Sequence, residues 1–354
     1  MDLEFNKSKA ETFATQMLGI LNGSMMGLMI SIGHKTKLFD IMSDLPPSTS
    51  QQIAEKAGLT ERYVREWLKG MVVGKILEYD PKKSTYRLPK EHAAFLTRAA
   101  GTDNMAVFAQ YISLLGNVEE QVINSFRNGG GVPYSAYPDF QRLQAEETSR
   151  IFDAMLVDKI LPIVPNLIGR MKEGIKVLDM GCGRGRAVNL MAKTFQKSSF
   201  VGYDISREGI ESARKEAKMS LSNSRFEVKD AVKLDEVGQY DLITAFDTIH
   251  DQAQPTKVLK AIAKALKSDG TFLMQDIAGS SYVHENMEHP LAPTLYTFST
   301  MHCMTVSLAY NGEGWGTLWG EQMARQKLQE AGFKSVEVKQ IEGDILNSYY
   351  IATK

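Results

Sequence analysis

Apolar residues recur at two different periods along this chain, and the change of period divides it. As far as Arg170 they fall mostly at helical spacing, whereas from Ile175 they come in short strand runs separated by amphipathic stretches. In the first part, Leu38, Phe39, Ile41 and Met42 form an apolar stripe that Pro46-Pro47 ends. The next helix, around IAEKAG, is capped by Ser48, Thr49 or Ser50 and stops at Gly58. Thr60 then caps ERYVREWLKGMVV, in which Val64, Trp67, Leu68 and Met71 share one face. After Gly74, KILEY and TYRL read as two strands around a turn from Asp80 to Ser84.

Helices followed by a hairpin make a winged-helix arrangement, expected over residues 1–98 together with the helix that opens the chain. Residues 99–170 keep helical spacing, interrupted by Gly129-Gly130-Gly131 and Pro133, and are expected to be connecting helices. From 171 to 354 the runs IKVLDM, SFVGYD, RFEVKD, YDLITAF and GTFLMQDI alternate with helices such as Arg207 to Met219 and Pro255 to Leu266. That alternation predicts an α/β domain with a parallel sheet covered on both faces. The last two runs, KSVEVKQI and NSYYIAT, are joined by a turn at Gly343-Asp344 too short for a crossover helix, so they pair antiparallel.

A length of 354 residues is more than one core usually supports, in keeping with this division. The net charge of -1 gives no global field to recruit nucleic acid or an anionic membrane. Two cysteines, Cys182 and Cys303, with no CxxC pair and no secretory leader, point to a reducing compartment and a cytoplasmic protein. Thr12 to Gly33 carries no charge and is long enough to cross a bilayer. Gln16, Asn22, Ser24 and the four glycines within it, and the lack of flanking basic or aromatic anchors, favour instead a buried helix, with no membrane partner.

The chemistry concentrates where strands end. The run starting at Val177 leads into Asp179-Met180-Gly181-Cys182-Gly183-Arg184-Gly185 and then a helix. Loops at the carboxyl ends of parallel strands bind ligands in doubly wound folds, and glycines let the backbone approach closely. Asp204 closes the second strand run, where a carboxylate can take both hydroxyls of a ribose. Asp230, followed by Ala231, closes the third, where an acid can meet an adenine amino group. The spacing Gly181, Gly183, Gly185 with arginine at 186 departs from the GxGxxG of dinucleotide sites.

VLDMGCGRG, VGYD and VKDA together resemble the class I S-adenosylmethionine-dependent methyltransferases, with a match from about Ile175 to Lys354. The resemblance implies a seven-stranded Rossmann-like sheet whose last strand is antiparallel, and S-adenosylmethionine as cofactor. It implies cofactor contacts from Asp179, Gly181, Cys182, Gly183, Gly185, Asp204, Ile205, Asp230, Ala231, Phe246 and Asp247. The front segment, from LFDIM to YRLPKEHAAFL, is similar to the winged-helix domain of small-molecule methyltransferases, including plant-type O-methyltransferases. It most resembles a bacterial and invertebrate group whose members share segments of the TIHDQAQP and STMHCMTVSLA type. This implies a front domain that makes a homodimer and closes over a small-molecule methyl acceptor.

Methyl transfer from a sulfonium needs alignment, exclusion of water and a nucleophile with a free lone pair, and a base only where the nucleophile is a hydroxyl. His250, past the fourth strand run, resembles the histidine of the His-Asp-Trp segment that serves as base in plant-type enzymes, although Gln252 stands where that segment has tryptophan. A cofactor-shell contact and a structural role are its alternatives. The insertion 278–320 is expected to wall the substrate through Tyr296, His302, Cys303 and Trp315, or to pack those side chains against the front domain. Met25 on the first helix is a further candidate, with core packing as its alternative. No third ligand at a recognisable spacing accompanies His302-Cys303, so no metal is expected, and Asn311 to Gly316 reads as a flexible lid tip. The competing function is a winged-helix DNA-binding regulator that senses S-adenosylmethionine. The mixed charges Glu61, Arg62, Arg65, Glu66 and Lys69 on its would-be recognition helix offer few phosphate contacts.

Overall fold

In the computed structural model, which describes residues 5–218 and 221–354, the chain forms two units that divide between Gly116 and Asn117. The front unit therefore takes in residues 99–116, and the rest of the expected connecting region goes with the sheet. Within the front unit, Thr49 and Gln52 form a capping box at the start of helix Ser50–Ala57, and Gly58 ends it in a left-handed conformation. Helix Glu61–Val73 follows, burying Val64, Trp67, Leu68 and Met71 against Leu38, Phe39 and Ile53. Strands β1 (Glu78–Asp80) and β2 (Thr85–Arg87) complete the wing as an antiparallel pair.

The opening helix, Lys7–Lys35, corrects one expectation. It was expected to be buried, yet only Gly27, Ser31, Gly33 and His34, all in its last turns, are buried. Phe13, Leu18, Ile20, Leu21 and Met25 are each more than half exposed. Apolar composition identified a surface that needs covering; among the described residues of the front unit, burial of this helix is confined to its last turns.

The second unit is built on a seven-stranded sheet of β3 (Lys176–Met180), β4 (Ser199–Asp204), β5 (Ser224–Val228), β6 (Tyr240–Phe246), β7 (Leu266–Ile277), β8 (Ser335–Lys339) and β9 (Asn347–Thr353). Their order is β5-β4-β3-β6-β7-β9-β8. β3 through β7 pair in parallel, and β9 runs antiparallel to both of its neighbours. Alternation along each strand fills two cores. Val177, Phe200, Leu242 and Leu273 face helices Arg186–Thr194 and Arg207–Ala217, while Leu178, Val201, Ile243 and Phe272 face Pro255–Ala265 and Gly320–Glu330. Met219, the expected end of the helix from Arg207, lies outside the described residues.

The chain order reverses between β3 and β6, so their carboxyl ends flank the crevice that a doubly wound sheet offers to ligands. Ahead of the sheet, helix Phe140–Ile151 runs on through a π-helical stretch, Phe152–Ile160. Within the insertion, Ala292–Phe298, Ser299–Cys303 and Met304–Ala309 form one continuous helical run. The segment Asn311 to Gly316, expected to be a flexible tip, is instead fastened. Glu313 N–H donates to the Ala253 carbonyl at 2.8 Å, and the Glu313 carboxylate accepts from both the amide and the hydroxyl of Thr256.

Gly185 is the tightest point of the frame that carries the site. Its φ of 77° suits glycine, and a Cβ there would sit 2.5 Å from Ala213 Cβ and 2.6 Å from Phe226 Cε1. Gly185→Val is expected to lower the unfolding free energy by about 3 kcal/mol, from overpacking added to left-handed strain. Urea titration measures this, and a loss below about 1 kcal/mol would mean that the helix shifts freely.

Candidate active site

The turn after β3 is held by its own backbone. Gly181 and Cys182 N–H groups both donate to the Tyr203 carbonyl, at 2.8 and 3.0 Å, so the turn folds back over the neighbouring strand β4. Gly181 has φ 74°, and a Cβ on it would meet Thr248 Oγ1 at 2.1 Å. Gly183, with φ 53°, donates its N–H to Asp204 Oδ2 at 2.8 Å, while Ser206 N–H donates to Asp204 Oδ1 at 2.7 Å. The two strand tips are thus tied through one carboxylate. Burial nevertheless pushes the Asp204 carboxyl upward, more than these two amides lower it.

Asp179, at the end of β3, is buried and accepts from Thr244 Oγ1 at 2.7 Å. Burial pushes its carboxyl up to about 7; the Thr244 hydroxyl opposes the rise and Asp204 adds to it. Asp247, just past β6, adopts φ 53°. Its Oδ2 accepts from Gln144 Nε2 at 3.5 Å, and its Oδ1 is buried with no hydrogen-bond partner. Burial also takes this carboxyl to about 7, against the pull of His250. Asp230 caps the short turn Ala231–Lys233 by accepting from Val232 N–H at 3.1 Å.

His250, read from the sequence as a base, a cofactor-shell contact or a structural residue, is buried among carboxylates. Its Nδ1 lies 2.8 Å from Asp276 Oδ1, and its Nε2 lies 3.2 Å from Asp251 Oδ1. Asp276 Oδ1 is in turn fixed by the Trp319 indole N–H at 3.0 Å and the Ile277 amide at 2.9 Å. Burial disfavours charge on the imidazole, but the carboxylates of Asp276 and Asp251 outweigh it and raise the histidine well above its usual range. A ring whose two nitrogens both face carboxylates holds a proton instead of taking one. The adjacent Asp251 is pulled down to about 2, burial being overcome by the charge of His250.

Above the strand ends lie two adjoining hollows of about 740 and 510 Å³, which share Gly181, Asp204, Thr248 and Asp251 in their walls. Of the residues expected to contact a cofactor, Asp204, Ile205, Asp230 and Ala231 line the larger, and Asp179, Cys182, Gly183, Phe246 and Asp247 line the smaller. Gly185 packs beneath the turn instead of lining it. Asp251, Thr248 and the wall formed by Tyr134, Phe140, Gln141 and Arg142 escaped the sequence reading. The aromatic spacing at Tyr134, Tyr137 and Phe140 was a signal for that wall.

Each expected substrate residue has its own setting. Met25 belongs to the front unit, where its side chain is exposed. His302 is buried behind the aromatic wall, stacked on Phe140 with ring centroids 4.0 Å apart, and burial keeps it neutral by pushing it down to about 4. Cys303 is buried beside it, its thiol pushed up to about 12 by burial. Trp315 stacks on Trp319, and the Tyr296 hydroxyl accepts from Asn286 Nδ2 at 3.2 Å. None of these four side chains is among the residues that line the hollows.

Comparison with known proteins gives two family matches, an Rv2258c-like winged HTH domain over residues 24–98 and a methyltransferase domain over residues 171–325. Curated relatives include a fatty-acid O-methyltransferase of Mycolicibacterium smegmatis, 28% identical over 105 residues, 29% of this chain and 38% of the relative. An (S)-coclaurine N-methyltransferase of Papaver somniferum is 30% identical over 30% of this chain and 31% of its own length. The chain thus spans about a third of the length of these relatives. Among solved structures, human N-acetylserotonin methyltransferase in complex with SAM superposes with a TM-score of 0.69 at 17% identity, covering 100% of this chain and 99% of that one. An O-methyltransferase family protein from Burkholderia thailandensis gives 0.70 at 13% identity, covering 96% and 98%. At these identities the likeness establishes the fold. The chain therefore carries a winged HTH match over residues 24–98 and a methyltransferase-domain match over residues 171–325, on the fold shared with these solved methyltransferases.

Proposed function

We propose that this protein is an S-adenosylmethionine-dependent methyltransferase that methylates a small molecule at oxygen, nitrogen or sulfur. The observation that carries the reading is the convergence of Asp179, Asp204, Asp230 and Asp247 on two joined hollows beside a turn in which Gly181 has no room for a side chain. These residues suit the cofactor. Asp204 and Asp230 offer carboxylates for a ribose and an adenine, and the unpartnered Oδ1 of Asp247 suits the ammonium of an amino-acid tail. When bound, the cofactor supplies a methyl group activated on a sulfonium. The chain's own residues orient both partners and exclude water, the aromatic side chains Tyr134, Tyr137 and Phe140 offering flat walls for an acceptor.

The front domain supports an enzyme over a DNA reader. On Glu61–Val73, Arg62 pairs with Glu66 and Arg65 with Glu61, which leaves the exposed face with little free positive charge. Its long helix supports a homodimer instead. Leu18, Leu21, Met25, Leu28 and Ile32 are all exposed and alternate at spacings of three and four, the seam of a coiled coil. Both cysteines are free thiols, which suits a reducing, cytoplasmic compartment.

Three measurements test these statements. Asp204→Ala is expected to weaken S-adenosylmethionine binding at least about tenfold in isothermal titration, the loss of charge-assisted hydrogen bonds; equal affinity would overturn the assignment. Asp179 binds its proton more tightly folded, at about 7, than at its ordinary value of 3.8. Its contribution to stability is therefore complete below about pH 4 and lost as pH rises towards about 7. Relative to the parent, ligand-free Asp179→Asn should gain melting temperature between about pH 5 and pH 7.5; a parallel pair of curves would place the ordinary carboxyl value in the folded state. Leu21→Glu is expected to turn a dimer into a monomer by light scattering, and a monomeric parent would remove the seam's role.

A further inference from the structure

The hollows are unevenly charged. Three of their basic side chains are matched at the rim, Arg142 with Asp139 and Glu146, Arg186 with Asp153 and Glu216, and Lys229 with Asp235 and Glu236, while Arg184 in the smaller hollow donates to Ser212 Oγ at 3.1 Å. Among the described residues, the inner-wall carboxylates of Asp247 and Asp251 find their ion-pair partner in the His250 imidazole, which also meets Asp276. That one imidazole faces three carboxylates, Asp276 at 2.8 Å, Asp251 at 3.2 Å and Asp247 at 3.9 Å, so carboxylates outnumber cations in this cluster.

Of the three, Asp251 alone lines both hollows, where they join. Its position is fixed from behind, because Trp319 and Ile277 hold Asp276, which holds His250. A carboxylate that stays ionised in a low-dielectric wall favours a ligand carrying positive charge over a neutral one of the same shape.

Resting on the methyltransferase reading above, we propose that Asp251, with His250 as its positioning residue, makes this site distinguish the sulfonium of S-adenosylmethionine from the neutral thioether of S-adenosylhomocysteine. The two ligands differ by one methyl group and one charge. A carboxylate at the junction adds to the affinity of the first and contributes little to the second. The site thereby releases spent cofactor more readily than it releases the methyl donor, and the substitution of glutamine for tryptophan at 252 leaves the carboxylate beside a polar wall.

The test is isothermal titration of the full chain and of Asp251→Asn with S-adenosylmethionine, S-adenosylhomocysteine and sinefungin, whose ammonium replaces the sulfonium. In the parent, the two cationic ligands are expected to bind more tightly than S-adenosylhomocysteine. Asp251→Asn should weaken both about tenfold while S-adenosylhomocysteine changes by less than about twofold, the size expected for one partly screened charge pair. Asp251→Glu, which keeps the charge, should restore most of the preference. Equal weakening of all three ligands, or a parent that binds S-adenosylhomocysteine more tightly than both cationic ligands, overturns the inference while leaving the methyltransferase reading standing. If none of the three binds the parent, that reading fails and the inference with it.

Discussion

The hydrogen bond from Gly183 N–H to Asp204 Oδ2 joins two strand tips that would otherwise only lie side by side. It depends on a turn in which Gly181, Gly183 and Gly185 all take positive φ, so that the backbone climbs from β3 over β4 and enters the next helix without a side chain in the way. The turn in turn leans on β4, through the Tyr203 carbonyl that receives two of its amides. Remove the tie, and Asp204 loses its fixed direction while the floor of the hollow loses its edge. The parallel register of β3 with β4 and of β3 with β6 supplies the platform, because it brings Met180, Asp204 and Phe246 to the same end of the sheet.

A second constraint is electrostatic. Asp179, Asp204, Asp247 and Asp251 all line a partly buried space, and burial alone favours their neutral forms. The protein manages this unevenly. Asp179 and Asp247 sit near the point where they exchange protons around neutrality, whereas Asp251 is kept ionised by the imidazolium behind it. The hollow thus combines carboxylates whose charge adjusts to a ligand with one whose charge is constant.

Much of this was legible in the chain. Strand runs ending in acids, and glycines at alternate positions after the first of them, fix where a parallel sheet presents its ligands, and local spacing suffices to see them. The helices of the front unit were equally plain, since Thr49 and Gly58 mark the ends of Ser50–Ala57 by capping chemistry and Thr60 stands at the N-cap of the next helix, although its side chain makes no capping bond. What local spacing does not encode is which side of a wall a residue occupies. His250 and Asp251 are neighbours in sequence, yet β7 delivers Asp276 to the histidine and turns the aspartate toward the hollow. His302 and Trp315 carry the chemistry of a pocket but stack elsewhere, His302 on Phe140, which is remote in sequence, and Trp315 on Trp319, four residues on. The exposed helix Lys7–Lys35 was read as core because composition reports only that a surface is apolar, not which molecule covers it.

The central claim is that the carboxylates at adjacent strand tips receive one nucleoside, with its amino-acid tail over the glycine turn. A crystal structure of the protein with S-adenosylhomocysteine tests it most directly. The account predicts density running across the joined hollows, with the ribose hydroxyls on Asp204, the adenine beside Asp230 and Ala231, and the tail ammonium on Asp247. Density bound elsewhere, or a nucleoside that leaves Asp204 occupied only by its own backbone amides, would contradict it.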